Sequence, residues 1–411
     1  MTATTHESCP VHRSEQPFPH PRQGPFTVPA TYAEMVEKGV VQVTLANTGL
    51  RVWAVTGYDR IRRLLADSRI SASRKHDNFP FFFVPPPQAR TETSFIGYDP
   101  PEHTAARRKV AAAFTRQRVR LLRPMIQRVI DEHIDRLLEC EPPVDFHWNF
   151  SLSVPTTVIC EYLGVPQNDH AFIIKHSNNL FGADSTPKER LAAIVEVNDY
   201  IADLVEHKEK EPGDDLTSAV IAEYRACGEE YSRRELVNMI RMLLNGGHET
   251  TASMISLGTA CLLEHPDQLA ELLADPEGLI EPAVEELVRL ASIGDLAVPR
   301  VALEDIDIDG TVIPAGDGIL CLLLTANHDP RVFPDPERLE LRRGSRKQLG
   351  FGYGAHHCIG AELARLELQL VWTTLFRRIP SLRLVKPLAE VPRKEGAIVY
   401  GLWSLPVTWE T

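Results

Sequence analysis

The feature that most limits the fold of this 411-residue chain is a long stretch of helical periodicity, from Glu102 to about Leu290. Apolar residues recur there at the three- and four-residue spacing of amphipathic helices. This spacing predicts helices over residues 103–118, 122–139, 151–163, 188–208, 233–264, 267–274 and 279–291. Ser232 and Glu235 have the spacing of a capping box at the start of the longest helix, and Pro282 is expected in the first turn of the last one.

Strand patterns lie outside this helical stretch. β-Forming residues at 40–46 and 52–55 flank the turn Asn47-Thr48-Gly49, which predicts a β-hairpin. Beyond Ala297, Val and Ile alternate with Asp between turn signals, and a final helix is predicted over 359–378. The sequence thus predicts an α+β fold that is mainly α with a small β-rich part.

The chain shows neither internal repeats nor a linker. We therefore predict a single domain over 31–411, preceded by an irregular, proline-rich lead-in at 1–30. Within the domain, residues 78–88 combine several phenylalanines with prolines that forbid a regular helix. Such a loop either packs on the core or forms a lid over an apolar pocket.

Charge and cysteine usage exclude several classes of protein. A net charge of −12 disfavours nucleic acid and anionic membranes as the main partners. The seven cysteines are scattered and form no Cys-x-x-Cys pair, which is typical of a reducing compartment. There is no apolar leader and no uninterrupted apolar run of about 18 residues, so we expect a cytoplasmic protein without a membrane anchor.

A glycine-rich segment at residues 351–360 carries the strongest chemical signal. It reads Phe-Gly-Tyr-Gly-Ala-His-His-Cys-Ile-Gly and runs directly into the last predicted helix. Two glycines within four residues allow a tight turn and close approach to a flat partner, while a helix N-terminus favours a thiolate. Cys358 could therefore be a metal ligand held by a rigid loop, a buried structural cysteine, or part of a zinc site with His356 and His357.

This segment resembles the haem-binding loop of the cytochrome P450 family, whose haem is held by a cysteine thiolate. The resemblance implies the cytochrome P450 fold, with heme b buried between the long central helix and the helix that follows the loop. It makes Cys358 the axial ligand of the iron. It also places Phe351, Gly352, His356 and Gly360 in the haem-binding site.

The long predicted helix contains a second match, Gly246-Gly247-His248-Glu249-Thr250-Thr251. The resemblance implies that Glu249 and Thr250 are the acid and the hydroxyl that guide protons during oxygen activation. The family more often has Ala at the position of Gly246, and Asn245 is unusually polar. Without the resemblance, Thr250 could simply donate a hydrogen bond to its own helix backbone.

Two further sets of charged residues match the family. Glu286, Arg289 and Arg338 resemble its Glu/Arg/Arg triad, to which we assign a structural role, although Leu339 stands where Phe is usual. The resemblance also implies a set of haem propionate ligands, for which Arg and His are electrostatically suited. That set is His103, Arg107, Arg300 and His356.

The resemblance extends over nearly the whole chain, to a closing Leu-Pro-Val-Thr-Trp at 405–409. It implies a monooxygenase that inserts one oxygen atom from dioxygen into a C–H or C=C bond of a lipophilic small molecule, either a natural product or a foreign compound. No Gly-x-Gly-x-x-Gly segment is present, so electrons from NAD(P)H are expected through a ferredoxin and its reductase. We expect a monomer in which the ferredoxin docks on the Cys358 side.

The resemblance also predicts a docking surface and a substrate pocket. The docking candidates are Arg108, Lys109, Arg342, Arg343, Arg346 and Lys347. The substrate pocket is expected from residues 79–84, 178–184, 244–247, 293–298 and 398–399, and in particular from Phe79, Phe82, Leu244, Gly246, Ile293, Val298 and Ile398.

Three other functions stay open. A haem-thiolate protein could use peroxide directly or reduce nitric oxide with electrons from NADH. A haem protein could also be a non-catalytic carrier or sensor. A zinc enzyme would instead use His356, His357 and Cys358.

Overall fold

The computed structural model describes residues 18–82, 90, 94–181, 186–226, 232–296 and 298–410. In chain order, its helices are α1 (Ala30–Lys38), α2 (Tyr58–Leu65), α3 (Glu102–Ala111), α4 (Arg116–Leu121), α5 (Arg123–Leu138), α6 (Ser153–Leu163), α7 (His170–Phe181), α8 (Pro187–Lys210), α9 (Leu216–Ala226), α10 (Arg233–Glu264), α11 (Pro266–Ala274), α12 (Pro276–Ala291), α13 (Leu323–Asn327) and α14 (Ala361–Arg378). Its strands are β1 (Val40–Thr44), β2 (Arg51–Val55), β3 (Ile70–Ser71), β4 (Val144–Asp145), β5 (Pro299–Ala302), β6 (Ile306–Ile308), β7 (Thr311–Ile313), β8 (Gly318–Cys321), β9 (Arg383–Leu384) and β10 (Pro406–Thr408). The prediction of a mainly α fold with a small β-rich part is confirmed.

The strands form three small sheets. The largest has the order β1-β2-β8-β5-β3, and β1 pairs with β2 as the predicted antiparallel hairpin, with Val40 opposite Val55. Strand β8 joins this hairpin in parallel, with Ile319 beside Trp53. The remaining sheets are β4-β10-β9 and β6-β7. Strand β10 therefore ties the C-terminal end of the chain to the segment before α6.

Helix α10 is the axis of the helical part, and its observed bounds coincide with the predicted 233–264. Most of its middle and C-terminal half is buried, and α6, α8, α12 and α14 pack against it. The predicted capping box is wrong, because the Glu235 N–H donates to the carbonyl of Ser232 at 2.9 Å and the hydroxyl makes no cap. A capping box occurs instead at α8, where Thr186 and Glu189 exchange hydrogen bonds.

Other helix boundaries differ from the prediction for local reasons. The helix predicted over 103–118 is interrupted at Thr115, whose hydroxyl accepts from the N–H of Arg118 and begins α4. Helix α12 begins at Pro276 behind the cap of Asp275, so Pro282 lies inside the helix and not in its first turn. Helices α1, α2, α7 and α9 were not predicted.

The phenylalanine-rich loop is pinned to the core where the structure describes it. Phe79 and Phe81 are buried with their ring centroids 4.8 Å apart, and both pack with Val301 of β5. Phe82 is buried against apolar residues of the large sheet. Phe83 and Val84 lie outside the described residues. The described side chains thus follow the core-packing interpretation, and not that of a lid.

The N-terminal lead-in is described only from residue 18, and the division into a lead-in and one domain stays a prediction. Arg22 of this segment is buried and donates to the carbonyl oxygens of Ala291 and Ser292 at 2.8 and 3.0 Å, which holds it against the end of α12. Within the described ranges, no helix combines the length and the apolar character needed to cross a membrane.

Candidate active site

The loop that carries Cys358 is shaped by two glycines in the left-handed region. Gly352 and Gly354 have φ values of 73° and 74°. A Cβ on Gly354 would lie 2.2 Å from the carbonyl oxygen of Leu65, so the loop also touches the end of α2. The N–H of Cys358 donates to the carbonyl of Phe351 at 2.8 Å and closes the loop immediately before α14. Only glycine satisfies both the backbone angle and the contact at residue 354.

The Cys358 sulfur lies among groups that favour a thiolate. Its side chain is exposed, yet burial among surrounding groups raises the pKa of its thiol. The Gly360 N–H, Arg107 and Arg365 oppose this rise in pKa. A coordinating metal cation would complete the deprotonation of such a thiol.

Four basic side chains from three elements converge beside this loop: His103, Arg107, Arg300 and His356. We call them the cationic cluster. The rings of His103 and His356 are 4.1 Å apart between centroids. His103 and Arg300 are buried. Arg107 reaches the loop itself, donating to the carbonyl of His357 at 2.6 Å.

The cationic cluster lacks a negative counterpart among the described residues. Neither ring nitrogen of His103 has a hydrogen-bond partner there, and Arg300 donates only to the carbonyl of its neighbour Pro299, at 2.7 Å. Asp99 acts electrostatically on His103 and Arg300, but its oxygens accept from the Ser71 hydroxyl and the Ala72 N–H.

The pKa values of the cluster reflect this imbalance. Burial, followed by Arg300, His103 and Arg107, lowers the pKa of His356 to about 3. Burial and then Arg107 also lower the pKa of His103, and burial lowers the pKa of Arg107 and Arg300. Buried donors without acceptors are costly, so the cluster is suited to an anionic ligand. The two propionates of haem fit this donor set.

The two glycines of α10 have different surroundings. A Cβ on Gly246 would meet nothing within 4 Å, whereas one on Gly247 would lie 3.0 Å from Ile159 of α6. Gly247 therefore lets α6 approach closely, and Gly246 borders open space. The Thr250 hydroxyl donates to the Gly246 carbonyl at 2.6 Å, which is the backbone contact that the sequence left open. Its lone pairs remain available to accept a proton.

Glu249 is buried and forms an ion pair that the sequence did not reveal. Its Oε1 accepts from the Nζ of Lys394 at 2.6 Å, and its Oε2 has no partner among the described residues. Burial raises the pKa of Glu249, while the charge and hydrogen bond of Lys394 lower it. Lys394 is 145 residues away along the chain, in a Pro-Arg-Lys-Glu-Gly stretch that is typical of a solvated turn. No local pattern could have indicated this pair.

The predicted Glu/Arg/Arg triad has a different third member. Glu286 pairs with Arg289 at 2.8 Å and with Arg343 at 3.1 Å. Arg289 also donates to the carbonyl oxygens of Asn327 and Pro336, at 2.9 and 2.7 Å. Arg338 does not take part as a side chain; the turn that follows it instead carries Arg343 back to Glu286.

The triad is connected to the cysteine loop by backbone contacts. The Asn327 side chain accepts from the N–H of Leu349 at 2.6 Å, two residues before Phe351. Arg365, whose guanidinium lies 4.5 Å from the centre of the Phe351 ring, pairs with the buried Glu285 of α12 at 2.5 Å. Helix α12 thus holds the loop from two sides.

The predicted pocket residues lie in separate parts of the core. Leu244 and Ile293 belong to the large helical core, and Val298 belongs to the core on the sheet side. Gly246 and Ile398 are exposed. Leu244 borders a small cavity between α7, α8 and α10 that is also lined by Ile173, His176, Ala193, Ile194, Val197, Arg241 and Asn245. The side chains of residues 178–181 and the whole of 182–185 lie outside the described residues.

Within the described ranges, no group of three His, Cys, Asp or Glu side chains is placed to hold a metal ion. His356 lies instead against His103, and His357 is directed toward Phe351, with ring centroids 6.5 Å apart. The zinc alternative therefore finds no ligand set in that part of the chain.

Comparisons with known proteins agree with this geometry. A family model described as Cytochrome P450 matches residues 165–380. The chain is 41% identical to cytochrome P450 105A3 of Streptomyces carbophilus over 100% of both chains. It is 39% identical to the vitamin D3 dihydroxylase of Streptomyces griseolus over 99% of each. The crystal structure of cytochrome P450 MoxA from Nonomuraea recticatena superposes with a TM-score of 0.91 at 43% identity, covering 97% of this chain and 99% of that one.

Proposed function

The chain belongs to the cytochrome P450 family of monooxygenases, and we propose that it holds heme b through Cys358 and oxidises a lipophilic small molecule with dioxygen. One observation carries the assignment of the site. The cationic cluster lies beside the loop that carries Cys358, and neither ring nitrogen of its buried His103 has an acceptor among the described residues.

The residues that would hold the haem divide into two groups. Cys358 is the iron ligand, and the Gly360 N–H together with Arg107 and Arg365 stabilises negative charge on its sulfur. The cationic cluster binds the propionates through charge-assisted hydrogen bonds. Gly352 and Gly360 leave room for the flat ring, since a Cβ on Gly360 would meet nothing within 4 Å and one on Gly352 only the His356 carbonyl at 3.8 Å.

Bound haem would supply the oxygen chemistry: with two electrons from an external donor and two protons, one atom of dioxygen is inserted into the substrate and the other leaves as water. The protein handles the protons. Gly246 leaves open space one helical turn before Thr250, whose hydroxyl can pass a proton onward. Glu249 is the acid that replenishes it. This pair favours the dioxygen route over direct use of peroxide.

The substrate class is inferred from relatives. One of them, of Streptomyces griseolus, is a dihydroxylase of vitamin D3, as its name states. We propose a lipophilic natural product or foreign compound as substrate.

Electrons are proposed to arrive through a ferredoxin on the Cys358 side. A cleft of about 560 Å³ opens beside the loop, and Arg62, Arg331, Arg346, Lys347 and Arg365 contribute cations to its lining. Two of the predicted docking residues, Arg346 and Lys347, lie here. Arg343 is turned inward to Glu286, Arg342 pairs with Glu271, and Lys109 lies over the ring of Tyr224. We propose that docking centres on Arg346 and Lys347.

Charge reversal tests this surface. Arg346→Glu should slow reduction by a ferredoxin, and the defect should grow as salt is lowered because the new contact is repulsive. Arg342→Glu, outside the cleft, is the matched control. An equal loss in both variants would contradict docking at the cleft.

The absorption spectrum of the reduced protein under carbon monoxide tests the central assignment. A strongly red-shifted haem band that Cys358→Ser abolishes is expected. A band at the position of a histidine-ligated complex would show that the protein binds haem but that Cys358 is not the iron ligand. No haem after expression with added haem precursor would reject the proposed function. Stable oxygen binding without turnover would favour a carrier or sensor.

A further inference from the structure

A second buried charge pair lies outside the haem-binding groups. Lys394 Nζ and Glu249 Oε1 are 2.6 Å apart, and their side chains are only 4% and 5% exposed. The pair joins the C-terminal segment to the middle of α10. Its burial excludes the usual interpretation of a solvent-screened surface contact.

We infer that Lys394 is a positioning residue for proton delivery, which holds the carboxyl group of Glu249 in one orientation and favours its charged form. The inference rests on the proposed roles of Glu249 and Thr250. It adds a residue from a distant part of the chain to that pair.

The backbone around Lys394 fixes its position. Its N–H donates to the Gly401 carbonyl at 2.8 Å, and Arg393 and Leu402 form an antiparallel bridge, so the segment folds back on itself as a short hairpin. The hairpin lies directly on α10, where a Cβ on Gly401 would be 2.5 Å from the Ser253 hydroxyl. The ammonium lies 5.1 Å from the centre of the Trp403 ring. Lys394 therefore has no free path to solvent.

Two histidines near this pair are neutral at neutral pH, and the flanking Arg393 and Glu395 pair with each other at 2.7 Å. Burial and then Lys394 lower the pKa of both His147 and His248 to about 3, and His147 shares a hydrogen bond with Ser256 at 2.9 Å. The positive charge facing Glu249 thus comes from Lys394. Removing it would leave burial to act on Glu249 unopposed.

The two carboxylate oxygens of Glu249 have different surroundings. Oε1 is occupied by Lys394, whereas Oε2 has no partner among the described residues. A proton taken up at Oε2 from a solvent water and passed from the same atom toward the Thr250 hydroxyl restores the carboxylate, and Lys394 keeps its own proton throughout. The ammonium stabilises the carboxylate after each transfer, which makes Glu249 a stronger acid than burial alone would allow.

The titration of Glu249 tests this in the resting holoenzyme, without turnover. The infrared carboxyl band of Glu249 is identified by its loss in Glu249→Gln. Lys394→Met should raise the apparent pKa of Glu249 by about 1–3 units, the range expected for loss of one adjacent opposite charge. Lys394→Arg should leave it near the parent value. If Lys394→Met does not bind haem, Lys394→Gln serves, since its amide still donates to Oε1 without charge.

Lys208→Met is the matched control. It breaks a similarly short and largely buried pair, Lys208 with Asp215 at 2.6 Å, at the end of α8. This variant should leave the Glu249 band unchanged. An unchanged Glu249 titration in Lys394→Met, or an equal shift in the control, would overturn the inference.

Turnover supplies the second readout. With 7-ethoxycoumarin as a lipophilic probe, Lys394→Met should increase the peroxide released per product by about tenfold, part of the 10²–10⁴-fold that a positioned proton donor contributes. Adding Lys394→Met to Glu249→Gln should cause no further change. Additive losses would place Lys394 outside the Glu249 route. A missing haem-thiolate spectrum would instead reject the proposed function and leave the infrared result standing on its own.

Discussion

The triad of Glu286, Arg289 and Arg343 is buried and the cationic cluster is buried or half-buried, but only the triad contains its own negative charge. In the triad, each guanidinium meets a carboxylate oxygen, and Arg289 also satisfies two backbone carbonyls. In the cationic cluster, His103 has no partner among the described residues and every member has a lowered pKa.

The difference separates a structural network from a binding site. Burying charge is costly unless it is paired, so a balanced network adds rigidity to the fold that contains it. A buried cluster of like charges destabilises the apoprotein, and it becomes favourable only when an anion binds. The comparison predicts that the triad determines stability with or without haem, whereas the cationic cluster determines haem affinity.

The largest expected effect is at the triad. Arg289→Met leaves the buried Glu286 with Arg343 as its one cationic partner and leaves two carbonyls without this donor, which should lower the free energy of unfolding by about 3–5 kcal/mol. Denaturant titration of the apoprotein measures this. Arg128→Met is the control, because Arg128 contacts two carboxylates but is 46% exposed. It should cost less than about 1 kcal/mol. Similar losses in both variants would contradict the contrast.

Arg300→Leu should have the opposite pattern. It removes a buried cation that faces other cations, so the apoprotein should be as stable as the parent or more so. Haem affinity should fall by about 10–100-fold, the value of one charge-assisted hydrogen bond worth about 1.5–3 kcal/mol. Haem transfer to an acceptor protein measures the affinity, and denaturant titration measures the stability. An apoprotein destabilised as strongly as Arg289→Met would make Arg300 part of the structural network.

The sequence predicted those parts of the molecule that are specified locally. The bounds of α10 follow from a long apolar helical pattern, and the cysteine loop lies within ten consecutive residues. Helices α7 and α9, of 12 and 11 residues, were missed. The sequence predicted a capping box at Ser232, but the structure has one at Thr186. The motif specifies which residues are present, but it does not determine which oxygen accepts the hydrogen bond of the backbone N–H.

The long-range contacts of the site could not be predicted from the sequence. Arg338 and Arg343 both follow the turn at Asp335, where φ is 48°, and only the path of the chain decides that Arg343 reaches Glu286. Lys394 meets Glu249 because its hairpin packs on α10, a contact between residues 145 positions apart. Charge patterns identify candidate residues, but tertiary packing selects the partners.

The smallest expected effect is on the pH dependence of stability. Burial, then Arg107 and Arg300, lower the pKa of His103 below its usual value of 6.5. As the pH falls below about 6.5, His103 therefore binds a proton in the unfolded chain while it stays neutral in the folded apoprotein. This contribution to stability is complete above about pH 6.5 and is lost as the pH falls toward the lowered pKa of His103. Propionates beside His103 would raise that pKa, so the holoprotein should lose less stability over the same range.

His103→Gln should therefore reduce the difference in acid sensitivity between the apoprotein and the holoprotein, as measured by thermal unfolding from pH 7 to pH 4.5. His133→Gln provides the control. His133 is buried with a lowered pKa as well, but its ring contacts the Val129 carbonyl and Thr157 within the helices, away from the cationic cluster. Its contribution should be the same with and without haem. If haem changes both histidines equally, the anion that the cationic cluster binds does not lie next to His103.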